Sequence, residues 1–199
     1  MRRVLVLFAH PALEKSRVNR RLIEHARGDG VTFHDLYELY PDFDVDVGRE
    51  QRLLTEHDVI VMHHPLYWYS VPALFKQWID LVLEHGWAYG SGGEALRGKW
   101  LVNAITAGGG EAAYRPGGLN RHTLRQMLAP IEQTAWLCWM KFLPPYAVHG
   151  THGLESEHVE QHAERYRRFL ESLKDEGIDL EPLRAADYFA VPGGALDAR

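Results

Sequence analysis

The sequence predicts a doubly wound α/β fold, an open parallel sheet with helices on both faces. Three observations lead there. Strand-like runs alternate with helical stretches along the whole chain. The clearest strands are apolar throughout instead of alternating, as expected of strands covered on both faces. The chain has 199 residues, 46% hydrophobic and 25% charged, which suits one globular domain, and no repeat or linker divides it.

Residues 4–9 form the first apolar run, stopped by His10-Pro11. Residues 16–27 place Val18, Leu22, Ile23 and Ala26 on one helical face, with Ser16 as N-cap and Gly28 as stop. Residues 31–36 read as a second strand, 40–44 as loop, and 49–57 as a short helix burying Leu53 and Leu54. Residues 58–63 are the third strand and 65–70 a turn. Pro72 opens a helix over 73–84, since a proline is tolerated at a first helical turn. Residues 100–106 are the fourth strand and 107–120 a long glycine-rich loop. Residues 122–139 are helical, with Pro130 expected to split or kink them. A fifth strand is expected within 140–148 despite Pro144-Pro145. A long polar helix covers 155–175. One domain is expected over 1–180, with an irregular tail over 181–199.

The formal net charge is −5, which gives no phosphate-backbone footprint, so nucleic acid is not an expected partner. The one cysteine, Cys138, cannot form an internal disulfide and fits a reducing compartment. No apolar stretch is long enough for a membrane span, and the first apolar run is too short for a signal core. A cytoplasmic protein is expected.

In an open parallel sheet, ligands bind beyond the carboxyl ends of the strands. Three such loops carry distinctive residues. After the first strand, His10, Ser16, Arg17, Val18 and Asn19 lead into a helix N-terminus whose free amides suit an anion. After the third, Pro65, Leu66, Tyr67, Trp68 and Tyr69 put three aromatic rings in a tight turn. After the fourth, Thr106, Ala107, Gly108 and Gly109 allow a ligand close to the backbone. Taken singly, each loop also has a plain structural reading: a helix cap, an aromatic interface, an ordinary glycine loop. Together they describe a mononucleotide with a large planar ring, and flavin mononucleotide fits best.

Other chemistries fail on context. Gly90, Gly92 and Ala95 match a dinucleotide-binding spacing, but the run precedes a strand instead of following one. His63 and His64 are adjacent in a strand and point to opposite faces. His158 and His162 share a helix face without further ligands, so no metal site is expected. No nucleophile elbow is present.

The joint pattern resembles the flavodoxin-like NAD(P)H:quinone reductases. Ala9-His10-Pro11, Ser16-x-x-Asn19, His64-Pro65-Leu66-Tyr67-Trp68-Tyr69-Ser70-x-Pro72, Leu74-x-Lys76-x-Trp78-Ile79-Asp80 and Thr106-x-Gly108-Gly109-Gly110-Glu111 carry it. Leu39-Tyr40-Pro41-Asp42-Phe43-Asp44, His85-Gly86-Trp87-Ala88-Tyr89-Gly90 and Leu143-Pro144-Pro145 are similar to one branch, the ancillary flavoproteins of glutathione-regulated potassium-efflux systems. The resemblance spans roughly residues 3–175 and leaves the tail uncovered. It implies non-covalent FMN, with FAD as a variant, in a homodimer whose sites lie at the subunit interface. His10 and residues 16–19 would hold the phosphate and ribityl chain. The turn from Pro65 to Tyr69 would wrap the ring, and residues 106–109 would meet its pyrimidine edge. NAD(P)H would be the hydride donor and a small-molecule quinone the acceptor. Tyr114 and His122 are the candidates for a relay beside the ring, although their spacing differs from that of animal members. Ala107 stands where the pattern often has Thr, which spares a backbone contact and removes a hydroxyl. The branch also implies a second reading, a regulatory subunit of a membrane potassium-efflux transporter, held at the inner face of the membrane. A simple flavodoxin-like electron carrier ranks third, because the charge is modest and the aromatic turn elaborate.

Overall fold

The computed structural model describes residues 1–191; residues 192–199 of the expected tail lie outside the described part. Val4–Phe8 (β1) pairs in parallel with Val31–Asp35 (β2) on one side and Val59–Pro65 (β3) on the other. Trp100–Thr106 (β4) lies parallel to β3. Beyond it come Lys141–Phe142 (β5) and Tyr146–Val148 (β6), both parallel to β4. The order β2-β1-β3-β4-β5 reverses direction between β1 and β3. At such a switch point the loops leaving the two strands diverge and open a crevice.

Side-chain parity explains why the strands read as unbroken apolar runs. Val4, Val6, Val59, Val61, Val102 and Ala104 face one way. There they pack under Arg17–Glu24 (α1) and the long helix Ser156–Lys174 (α7). Leu5, Leu7, Ile60, Met62, Leu101 and Ile105 face the other way. Their cover comes from Leu36–Leu39 (α2), Val47–Glu56 (α3), Ala73–Val82 (α4) and Ala129–Leu137 (α6). A short helix, Leu124–Met127 (α5), precedes α6. Among the described residues no helix is long and apolar enough to cross a membrane.

Several boundaries depart from the sequence reading, each for a local reason. Asp35 accepts the amide hydrogens of Tyr37 and Glu38, which ends β2 one residue early and starts α2 between the expected strand and the expected loop, where no element was assigned. Asp46 caps α3, so that helix begins at Val47 and not at 49. The expected helix over 122–139 becomes two pieces. Thr123 and Gln126 form a capping box that starts α5, and Pro130 sits in the first turn of α6, where its missing N–H costs nothing. Pro144-Pro145 breaks the fifth strand into β5 and β6, because neither proline can donate to the ladder. Tail residues Glu181–Ala185 form a 3-10 turn.

A polar hub that the sequence reading did not anticipate lies beneath α3. The Glu50 side chain is fully buried. It faces His34 Nε2 at 2.8 Å and accepts from the Tyr40 hydroxyl at 2.6 Å and from Trp78 Nε1 at 2.8 Å. Burial alone would raise its pKa. The three partners outweigh that and hold it below the usual glutamate value. Glu50→Ala would leave those partners buried without an acceptor. Urea unfolding at pH 7 should show a loss of roughly 3–5 kcal/mol; a loss below about 1 kcal/mol would show that the hub is not holding β2, α3 and α4 together.

Candidate functional site

The carboxyl edge of the sheet brings the three loops together. Ser16 caps α1, its Oγ accepting from the Asn19 amide at 3.2 Å and from Asn19 Nδ2 at 2.9 Å. With both lone pairs of that oxygen taken, the hydroxyl hydrogen is free to point away from the helix. Among the described residues the N–H groups of Arg17 and Val18 meet no acceptor, as expected for the first turn of a helix. The Val18 side chain is buried between α1 and the sheet, and the Arg17 guanidinium donates to the Leu154 carbonyl.

Asn19 links α1 to β3 and β4. Its Nδ2 also donates to Thr106 Oγ1 at 2.9 Å, and its Oδ1 lies 3.0 Å from His63 Nε2. His63 Nδ1 lies 2.9 Å from the Tyr166 hydroxyl on α7. Burial pushes the His63 pKa down to about 3, so its ring is neutral. The carboxamide oxygen can only accept, which assigns the His63 proton to Nε2 and makes Nδ1 the acceptor of the Tyr166 hydrogen. Both Asn19 amide hydrogens are therefore committed inside the protein. Asn19 braces the site; the outward-facing donors of this loop are Ser16 and the two free amides.

His10 is buried, and burial lowers its pKa. Its Nδ1 accepts the Ala12 N–H at 3.1 Å, so the neutral ring carries its proton on Nε2. The ring meets Tyr67 edge-on at 5.9 Å, joining the first loop to the second.

The second loop closes between Tyr67 and Ser70 by paired backbone bonds of 3.1 and 3.0 Å. Trp68 and Tyr69 both have positive φ, 47° and 64°. Two such residues make a primed hairpin turn, which normally takes Asn-Gly. Bulky side chains there hold strain of order 1–3 kcal/mol each, the kind stored at functional sites. Trp68 is 93% exposed, so no packing among the described residues compensates for it. Pro65 ends β3, and the Leu66 amide donates to the Thr106 carbonyl at 2.8 Å, fixing the turn against β4.

In the third loop, Ala107 is buried and its amide donates to Val148. A Cβ at Gly108 would lie 2.4 Å from His152 Nε2, so this exposed imidazole would have to turn aside for any larger residue. Gly109 packs against the Tyr114 ring. Burial raises the Tyr114 pKa, partly offset by the Gly109 amide and the Asn120 side chain at its hydroxyl. His122 is exposed on the same loop, and Asn120, not His122, stands beside the Tyr114 hydroxyl. The glycine run at Gly90 and Gly92 is a turn between α4 and β4, with both glycines at positive φ. Sequence reasoning missed the roles of His63, Asn120, His149 and His152; only the buried-strand position of His63 left a signal.

A sheet of this order, with an anion-ready helix start, an aromatic turn and a glycine loop gathered at its carboxyl edge, defines a flavodoxin-like protein. The flavodoxin-like fold family matches residues 2–170, and the chain belongs to it. The ancillary protein KefF of the glutathione-regulated potassium-efflux system of Klebsiella aerogenes is 45% identical over 168 residues, covering 84% of this chain and 94% of its own. KefG from Serratia proteamaculans is 48% identical over 169 residues, covering 84% and 92%. General stress protein 14 from Treponema denticola, solved with FMN, superposes with a TM-score of 0.78 at 37% identity, covering 87% of this chain and 98% of its own. An NADPH-quinone reductase from P. pentosaceus gives 0.76 at 33% identity, covering 84% and 96%.

Two measurements follow from the site's geometry. Replacing Trp68-Tyr69 by Asn-Gly should raise stability by roughly 1–3 kcal/mol through strain relief; an unchanged urea midpoint would mean that the turn stores no strain. His63 and His64 are fully buried, and burial lowers both pKa values. The unfolded chain binds protons near 6.5, and the folded state refuses the His63 proton down to about 3. Stability should therefore fall as pH drops below about 6.5, by up to roughly 1.4 kcal/mol per pH unit for each ring. A urea midpoint that stays flat from pH 7.5 to pH 5 would contradict this.

Proposed function

We propose that the protein is an NAD(P)H-dependent flavin oxidoreductase that reduces quinones or related electrophiles, with FMN held non-covalently at the carboxyl edge of the sheet. One observation carries the reading. Three loops suited to a phosphate, a flat ring and a polar ring edge are tied to one another through Asn19, Thr106 and Leu66. The FMN-bound relative and the NADPH-quinone reductase named above support it.

The residues present fit the group. The Arg17 and Val18 amides, the outward Ser16 hydroxyl and His10 Nε2 would hold the phosphate and ribityl chain, with the α1 dipole favouring the anion. The backbone from Pro65 to Tyr69 would flank the ring, and Thr106, Ala107, Gly108 and Gly109 would meet its pyrimidine edge, beside the Tyr114 hydroxyl. When bound, FMN supplies two-electron hydride chemistry between NAD(P)H and a quinone. The protein's part is to bind, orient and exclude water. FAD shares the phosphate and ring, and the same loops would take it.

The adjoining exposed rings of Tyr67, Trp68 and Tyr69 favour a homodimer in which a second copy covers the turn, since contiguous apolar patches mark interfaces. The identity to KefF and KefG favours a second role, as the ancillary subunit of a membrane potassium-efflux transporter, with the protein on the cytoplasmic side. The two roles are compatible.

Purified protein, reconstituted with FMN, should show flavin absorbance, bleach with NAD(P)H in the absence of oxygen and recover its colour on adding a quinone. Ser16→Ala should weaken FMN affinity roughly 10–150-fold, the worth of one charge-assisted hydrogen bond. A protein that retains neither FMN nor FAD overturns the reading.

A further inference from the structure

The family match ends at residue 170, yet the chain beyond α7 returns to the site. Leu180 is buried, and Arg125 donates to the carbonyl of Arg184 at 2.7 Å and to that of Ala186. Three residues further on, the Phe189 amide donates to the Pro145 carbonyl at 2.9 Å, and its ring stands edge-on to Phe169 at 4.9 Å. The backbone on either side of Tyr188 is thus pinned at two points. Between them the Tyr188 ring meets His149 edge-on, 5.7 Å between centroids.

His149 follows β6 directly, and the next residue, Gly150, donates its amide to the Gly109 carbonyl at 2.9 Å. The His149 ring also lies against Tyr114, tilted at 47° with 5.4 Å between centroids. Both ring nitrogens are shut off from solvent, and neither makes a hydrogen bond among the described residues. No polar contact there sets the angle of this imidazole. Its two aromatic neighbours do, and only Tyr188 comes from outside the site loops. Ala107, Tyr114 and Leu124 form a small apolar cluster, with Tyr188 and Leu66 packed on it. One cluster therefore joins the glycine loop, the base of the aromatic turn and the tail.

We propose that residues 186–191 strap the ring end of the site: Tyr188 holds His149, and His149 holds Tyr114 in place against Gly109. Tyr188 and His149 are positioning residues, and Tyr114 is the group they position. The strap acts through ring shape alone, so the Tyr188 hydroxyl is dispensable. Its catalytic consequence rests on the oxidoreductase reading; its structural statement does not.

The test follows the Tyr114 phenol in the full chain without flavin, by NMR of carbon-labelled tyrosine rings, the signal assigned with Tyr114→Phe. Tyr188→Ala should let solvent reach Tyr114 and lower its titration midpoint toward that of a free tyrosine. Tyr188→Phe should leave the midpoint where it was, and His149→Ala should reproduce the shift. Phe189→Leu loosens the tail's apolar anchor without touching His149, so it should lower the melting temperature and leave the Tyr114 midpoint alone. With flavin bound, Tyr188→Ala should slow hydride transfer roughly tenfold, recovered by Tyr188→Phe. An unmoved Tyr114 midpoint in both Tyr188→Ala and His149→Ala overturns the strap, as does an equal shift in Phe189→Leu. Failure to bind flavin would sink the oxidoreductase reading alone, because the titration still decides the strap.

Discussion

The side-chain carboxamide of Asn19 is the contact on which the rest of the site depends. It is almost completely buried. One donor reaches the cap of α1, the other reaches the end of β4, and the oxygen faces a histidine at the end of β3. A single planar group thereby fixes the distance between a helix start and two strand ends. The network can afford to be buried because every partner is satisfied, from the Tyr166 hydroxyl through the neutral His63 ring to Ser16. With a charged His63 there would be one donor too many and no acceptor for the Tyr166 hydrogen. Keeping the imidazole neutral is as much a part of the architecture as the strand order.

Adjacent histidines on β3 divide this labour between the two faces of the sheet. His63 looks toward α1 and α7, and His64 toward α4, where its ring stands edge-on to Phe75 at 5.7 Å and pairs with Asn103 at 3.1 Å. His64 also lies 3.0 Å from the Pro65 carbonyl at the root of the aromatic turn. The strand thus carries the site's support on one face and the turn's support on the other. The same alternation lets both cores be apolar while the strand ends are polar.

Much of this was legible in the sequence because it rests on local signals. Continuous apolar runs gave the strands, Ser16 gave the start of α1, and the three loop compositions marked the crevice. What escaped depends on contacts between distant positions. Glu50 reads as an ordinary helix-surface acid until β2 and α4 bring His34 and Trp78 to it. Asn19 reads as a donor to a ligand until Thr106 and His63 arrive from later strands. Tyr114 entered only through the resemblance, as a residue that follows the glycine loop, and its hydroxyl neighbour, Asn120, has no pattern that distinguishes it from a loop asparagine. The tail looked irregular because its order comes from Phe169 and Pro145, not from any periodicity of its own. The Asp35 and Asp46 caps are of a residue type that starts helices, but the short elements they begin carry too little periodicity to mark them.

Pro144-Pro145 has a consequence that reaches beyond the sheet's own geometry. An outermost strand presents unpaired amides and carbonyls that can recruit a strand from another molecule, the route to fibrils and to swapped assemblies. Here that margin is cut into one piece of two residues and one of three, and the Pro145 carbonyl is already taken by Phe189. No stretch remains long enough to template a foreign strand. Any lasting association of this molecule along that border must therefore run through side chains, whose shapes can tell one partner from another, and not through backbone, which cannot.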